Sequence, residues 1–160
     1  MRDLFQFNYE VYASADELSE QDLQLVKAAR EVTQTAYAPY SNFKVGAAAL
    51  LQNGKIVTGS NQENASFPVG TCAERVLLGT AAVAYPKTGI KTLAVSYHNL
   101  NGSSNKPISP CGMCRQALKE FEVYTQSTIR IILAGMEGKV YVLETVSQLL
   151  PFSFSNDDMK

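Results

Sequence analysis

Apolar positions along the chain switch between helical and strand spacing, and the switches mark its elements. Leu23, Val26, Ala29, Arg30 and Thr33 recur at helical intervals, and Leu25 and Ala28 widen that stripe. Ser19 precedes them as an N-cap, with Glu20 and Asp22 in the first turn where the helix dipole favours acid. Pro39 marks the far limit of this helix. Residues 43–51 form a short apolar run, Asn53-Gly54 is a two-residue hairpin signal, and residues 55–59 return as a second strand. The small residues Gly46 to Ala49 predict that something packs close to the first of these strands. Residues 61–71 read as a loop punctuated by Pro68 and Gly70. Helical spacing resumes over 72–85 through Ala73, Val76, Leu77, Thr80, Ala81 and Ala84.

Leu93 to Tyr97 is a strand candidate, and 99–109 is a polar loop. A helix follows Pro110, carrying Cys114, Ala117, Leu118 and Phe121. Strands at 128–134 and 139–143 and a short helix at 145–150 complete the pattern. Residues 1–18 show no clear period. They form an arm that Phe5, Phe7, Tyr9, Val11 and Tyr12 would lay on the body or on a neighbouring chain. The expected organisation is therefore an arm (1–18) and one domain (19–160). Apolar strands alternating with helices predict an α/β three-layer sandwich with helices on both sheet faces. The β-α-β-α-β middle predicts right-handed crossovers and parallel neighbours.

Composition narrows the function. With 46% hydrophobic and 18% charged residues in 160, the chain has ordinary globular make-up. A net charge of −1 provides no basic field for a phosphate backbone, so a nucleic-acid partner is disfavoured. No apolar run approaches the roughly 18 residues of a membrane span. The N-terminal stretch is polar and acidic and lacks the apolar core of a secretory signal, so a cytoplasmic location is expected. Three cysteines, an odd number, argue against a disulfide framework and raise metal or catalytic use.

All three cysteines fall at expected helix starts: Cys72, and Cys111 with Cys114 in a C-x-x-C. That spacing lets two sulfurs converge on one ion, and the helix dipole favours their thiolates. A C-x-x-C also serves redox chemistry, and three buried structural thiols are a further alternative. Neither accounts for Glu74, two residues after Cys72. Three thiolates around Zn²⁺ leave one coordination position for water, and Glu74 would be the proton shuttle beside it. Three thiolates also leave the centre net negative, which weakens it as a Lewis acid. Two helix N-termini would offset that charge. Arg75, with Arg115 as the alternative, would donate to the sulfurs and tune the metal. His98, the only histidine, reads as a surface or core residue, and Phe152 as a docking or core residue.

These residues resemble the small tetrameric cytidine deaminases. The resemblance runs through residues 38–48, 61–65, 72–75 (Cys-Ala-Glu-Arg), 109–116 (Ser-Pro-Cys-Gly-Met-Cys-Arg-Gln) and Leu149-Leu150-Pro151. It implies a mixed five-stranded sheet flanked by helices and one Zn²⁺ per chain, held by Cys72, Cys111 and Cys114. It implies Glu74 as the catalytic proton carrier, acting on water, on N3 of the ring and on the leaving amine. Phe43 would lie against the pyrimidine, Asn61 and Glu63 would hold the ribose 3′-hydroxyl, and Ala73 would line the substrate. Ala65, Phe67 and Phe154 would complete pockets of neighbouring chains in a homotetramer. The family often carries Tyr where Phe67 stands, and Phe67 has no hydroxyl to offer the nucleoside 5′ side. The implied reaction is hydrolytic deamination of cytidine and 2′-deoxycytidine. Residues 77–82 also resemble the blasticidin S deaminases. Three other possibilities stay open: another amino-pyrimidine nucleoside as substrate, an editing deaminase acting on nucleic acid, and a non-catalytic zinc module.

Overall fold

The computed structural model describes residues 1–160. Three α-helices flank one sheet: α1 (Glu20–Val32), α2 (Ala73–Ala84) and α3 (Gly112–Thr125). The sheet holds β1 (Glu10–Tyr12), β2 (Phe43–Leu51), β3 (Ile56–Ser60), β4 (Ile90–Asn99), β5 (Arg130–Leu133) and β6 (Val140–Leu143). Their spatial order is β1-β6-β5-β4-β2-β3. The expected short helix at 145–150 is a 3₁₀ turn, Val146–Leu149, opened by Thr145 capping the Ser147 N–H.

Two expectations change. The sheet has six strands rather than five, because Glu10–Tyr12 of the N-terminal segment pairs antiparallel with β6. Of the expected parallel neighbours only β4 and β5 pair directly. β3 and β4 are separated by β2, which pairs antiparallel with both. The hairpin turn at Asn53-Gly54 folds β3 back on the outer side of β2, and that keeps it away from β4.

Each face of the sheet buries its own apolar set. Leu25, Val26 and Ala29 of α1 pack with Ala48, Ala94 and Ile132. Leu77 and Ala81 of α2 and Leu118 and Phe121 of α3 pack with Ala47, Ala49, Leu93 and Val95. Alternate residues of β2 and β4 thus serve opposite layers, as a strand period of two requires. Two glycines set how closely the helices approach. A Cβ on Gly46 would lie 2.1 Å from the Ala29 carbonyl oxygen of α1. A Cβ on Gly59 would lie 2.5 Å from the Ala73 carbonyl oxygen, at the start of α2. That second approach fixes the end of α2 where the chemistry lies.

Candidate active site

The starts of α2 and α3 meet beyond the central strands. Cys72 and Cys111 are their N-cap residues, both with extended backbone. Each offers its carbonyl to the first helical bond, to Val76 N–H and Arg115 N–H at 3.0 Å. Neither sulfur caps its own helix, so both are free to face one another. Cys72 Sγ lies 3.8 Å from Cys111 Sγ, and Cys111 Sγ lies 3.5 Å from Cys114 Sγ. All three sulfurs fall within 4.8 Å of one another, and none forms a disulfide.

That donor set suits zinc. Bonds of about 2.3 Å at tetrahedral angles place sulfurs about 3.8 Å apart, close to the spacing here. The thiols perturb one another's acidity. Cys72 is lowered to about 6, chiefly by the Cys114 thiol donating to its sulfur, against burial and the Glu74 charge. The Cys111 thiol and the Arg75 charge add to that lowering. Cys114 is raised by the same bond to Cys72, by burial and by the negative charge of Glu74 and Cys72.

Glu74 is the second residue of α2 and is only 4% exposed. Burial raises its carboxyl pKa, and its own N–H and the Cys114 thiol only partly oppose this. With Cys72, Cys111, Val45, Asn61, Ile108 and Ser109 it lines a cavity of about 170 Å³. The arrangement is a carboxylate poised to exchange protons beside a thiol cluster, in a space suited to a small planar ring. Ala73 is fully buried at the same helix start.

Of the remaining candidates only Asn61 lines this cavity; Glu63 and Phe67 line a separate one with Tyr40 and Ser41. Asn61 is held by the backbone of β2: its Oδ1 accepts from Val45 N–H at 2.7 Å and its Nδ2 donates to the Phe43 carbonyl at 3.0 Å. One Nδ2 hydrogen remains to donate elsewhere. Glu63 accepts from the Ser41 hydroxyl and from the N–H groups of Tyr40 (2.9 Å) and Ser41 (3.3 Å). Desolvation raises its pKa, but those donors outweigh it and the net shift is downward. Phe43 stacks on Tyr97, with ring centroids 4.8 Å apart. It lines a neighbouring cavity of about 610 Å³ that shares Ile108 with the Glu74 cavity. Ala65 is exposed, as are Phe67 and Phe154.

Arg75 is exposed and reaches the cluster only through its charge. Arg115 makes the structural bonds: its Nε donates to the Pro110 carbonyl at 2.8 Å and its Nη1 to the Leu149 carbonyl at 2.9 Å. It thereby fastens the loop that leads into Cys111. Val45, Ile108 and Ser109 were not singled out from the sequence as pocket walls. For Ile108 the sequence offers a signal, an apolar residue directly before the Ser109-Pro110-Cys111 stretch.

Comparisons with known proteins agree with this site. Residues 19–129 match the family model described as the cytidine and deoxycytidylate deaminase zinc-binding region. A cytidine deaminase of Halalkalibacterium halodurans is 36% identical over 84% of this chain and 95% of its own length. A blasticidin-S deaminase of Bacillus cereus is 30% identical over 88% of this chain and 96% of its own. The crystal structure of a cytidine deaminase from Burkholderia pseudomallei superposes with a TM-score of 0.73 at 38% identity, covering 86% of this chain and all of that one. By zinc-binding motif, fold and sequence, the chain belongs to the cytidine and deoxycytidylate deaminase family.

Proposed function

We propose that this protein hydrolytically deaminates cytidine and 2′-deoxycytidine, giving uridine and 2′-deoxyuridine with release of ammonia. The observation that carries this is Glu74, a buried carboxylate with raised pKa in one small cavity with Cys72 and Cys111. Cys72, Cys111 and Cys114 would hold the zinc. When bound, zinc supplies Lewis-acid activation of water at neutral pH.

The rest is proton handling by the chain. Water adds at C4 of the cytosine ring and the C4–N4 bond breaks. Glu74 takes one proton from the water and places it on N3, then takes the second from the new C4 hydroxyl and delivers it to N4, which leaves as ammonia while C4 becomes a carbonyl. A carboxyl with a raised pKa is suited to both taking and giving a proton near neutrality. Asn61 and Glu63 would orient the ribose through its 3′-hydroxyl, Ala73 would line the base, and Phe43 would contribute an aromatic face. Ala65, Phe67 and Phe154 would reach the pockets of neighbouring chains in a homotetramer; their exposure supports that reading. Arg75 would temper the negative charge of the sulfurs. Three free thiols favour a reducing compartment, which supports a cytoplasmic setting.

Glu74→Gln tests the mechanism. It should keep the fold and the zinc content but lower kcat by about 10²- to 10⁴-fold. Retained turnover would refute the role of Glu74. Blasticidin S belongs in the same assay, because one relative bears that name. Asn61 lines the Glu74 cavity with one Nδ2 hydrogen free to donate, which supports a hydroxyl-bearing sugar beside the ring and hence cytidine as the better substrate.

A further inference from the structure

Residues 1–9 precede both β1 and the region matched by the family model. They carry three aromatic side chains, and each has a partner. Phe5 lies 6.4 Å from Phe152 and Tyr9 lies 5.3 Å from Tyr141, centroid to centroid. Phe7 and Tyr9 line an apolar cavity of about 150 Å³ whose other walls include Ser109, Leu143 and Leu149. Ser109 is also a wall of the cavity that holds Glu74 and Cys111. A single residue therefore separates the N-terminal aromatics from the candidate active site.

The segment that bears Ser109 belongs to no helix or strand. On its inner side Arg115 ties Pro110 to Leu149 by two hydrogen bonds. On its outer side Phe7 and Tyr9 cover the same two stretches of chain. The C-terminal tail is fastened at the Phe154 carbonyl by Gln116 Nε2 at 2.9 Å, while Phe152 stands exposed beside the Phe5 ring. Pairing of β1 with β6 anchors the whole arrangement.

We infer that residues 7–9 are a positioning element for the active site, an aromatic strap in which Phe7 and Tyr9 steady the Ser109 wall and the neighbouring Leu149. The strap touches neither the thiols nor Glu74. It acts by limiting local opening of a loop whose inner fastening is one arginine. The inference rests on the proposed function in one respect: the wall it steadies is taken to be the wall of the substrate pocket.

The test uses the full-length zinc-loaded protein and its variants Phe7→Ala and Phe7→Leu. Hydrogen exchange is followed in peptides covering 105–111 and 147–153, beside steady-state kinetics with cytidine and thermal unfolding. Phe7→Ala should speed exchange in both peptides about tenfold, from the lost apolar cover. It should raise KM about threefold or more while kcat stays within about a factor of two. Phe7→Leu, which restores apolar volume, should return both readouts most of the way. Unchanged exchange or unchanged KM in Phe7→Ala would overturn the inference. So would a fall in kcat that merely follows the loss of folded protein. If the wild-type protein turned over no cytidine, the proposed function would fail at that point, and the exchange result would still decide whether the strap holds the wall.

Discussion

Glu63 accepts three hydrogen bonds within the chain, from the Ser41 hydroxyl and two backbone N–H groups, which leaves room on its oxygens for about one more donor. A carboxylate so held keeps one orientation and stays ionised to lower pH than a free one. The sign follows from the lowered folded-state pKa. The interaction is complete above the ordinary glutamate range, near pH 4.3, and is lost only as pH falls through the lower folded value. KM for cytidine should therefore stay flat as pH is lowered to about 5. Glu63→Gln should raise KM about tenfold with a smaller change in kcat, because a hydrogen bond to a charged group would be lost from substrate binding. A kinetic pH series on both proteins checks this, and a KM unaffected by the substitution would remove Glu63 from ribose binding. Asn61 shows the same economy: the side chain expected to meet substrate also completes the backbone bonding of β2, between Phe43 and Val45.

Gly59 is the contact through which the sheet locates α2. Gly59→Ala would drive a methyl group into the Ala73 carbonyl and the Leu77 N–H, which stand 2.5 and 2.6 Å from the Cβ position. Backbone cannot rotate away as a side-chain tip can, so α2 must shift. Stability should fall by about 1–3 kcal/mol, as expected for overpacking. Zinc content should fall as well, since Cys72 opens that helix. Thermal unfolding and metal analysis measure the two effects, and wild-type zinc content would show that α2 is positioned by other contacts.

At this scale the sequence was most readable where chemistry is local. Helix starts at Cys72 and Cys111 follow from N-terminal signals and apolar spacing, so three sulfurs and Glu74 could be grouped before any coordinates. Long apolar runs such as Phe43–Leu51 could be bounded to the residue. β1 could not: it is three residues long, with two of them exposed, and such a piece has no period to detect. Its pairing depends on the free edge of β6, a tertiary fact. Strand order escaped for the same reason. The hairpin was evident, but which side of β2 it takes is decided by packing and not by spacing.

For the molecule as a whole, the unexplained surface is apolar. Phe67 is 76% exposed and Phe154 59% exposed. Tyr40 packs edge-on to Phe67 on the cavity that Glu63 also lines, so this patch borders the proposed ribose position. Rings left in water next to a binding site are what a closed symmetric assembly would cover. Light scattering on the zinc-loaded protein should give about four protomer masses, and dilution to the monomer should abolish turnover. A fully active monomer would refute pocket sharing. No helix is long and apolar enough to cross a membrane, so these residues do not belong to a helical span.

Cys72 and Cys111 lie 39 positions apart in the chain yet only 3.8 Å apart at their sulfurs. An ion bridging them closes a ring that encloses α2 and β4, with the same topological consequence as a covalent cross-link. Replacing any one thiol thus confounds two losses, the reactive centre and the closure of that ring. Glu74, standing inside the ring without closing it, is the position where a genetic defect reports on chemistry alone.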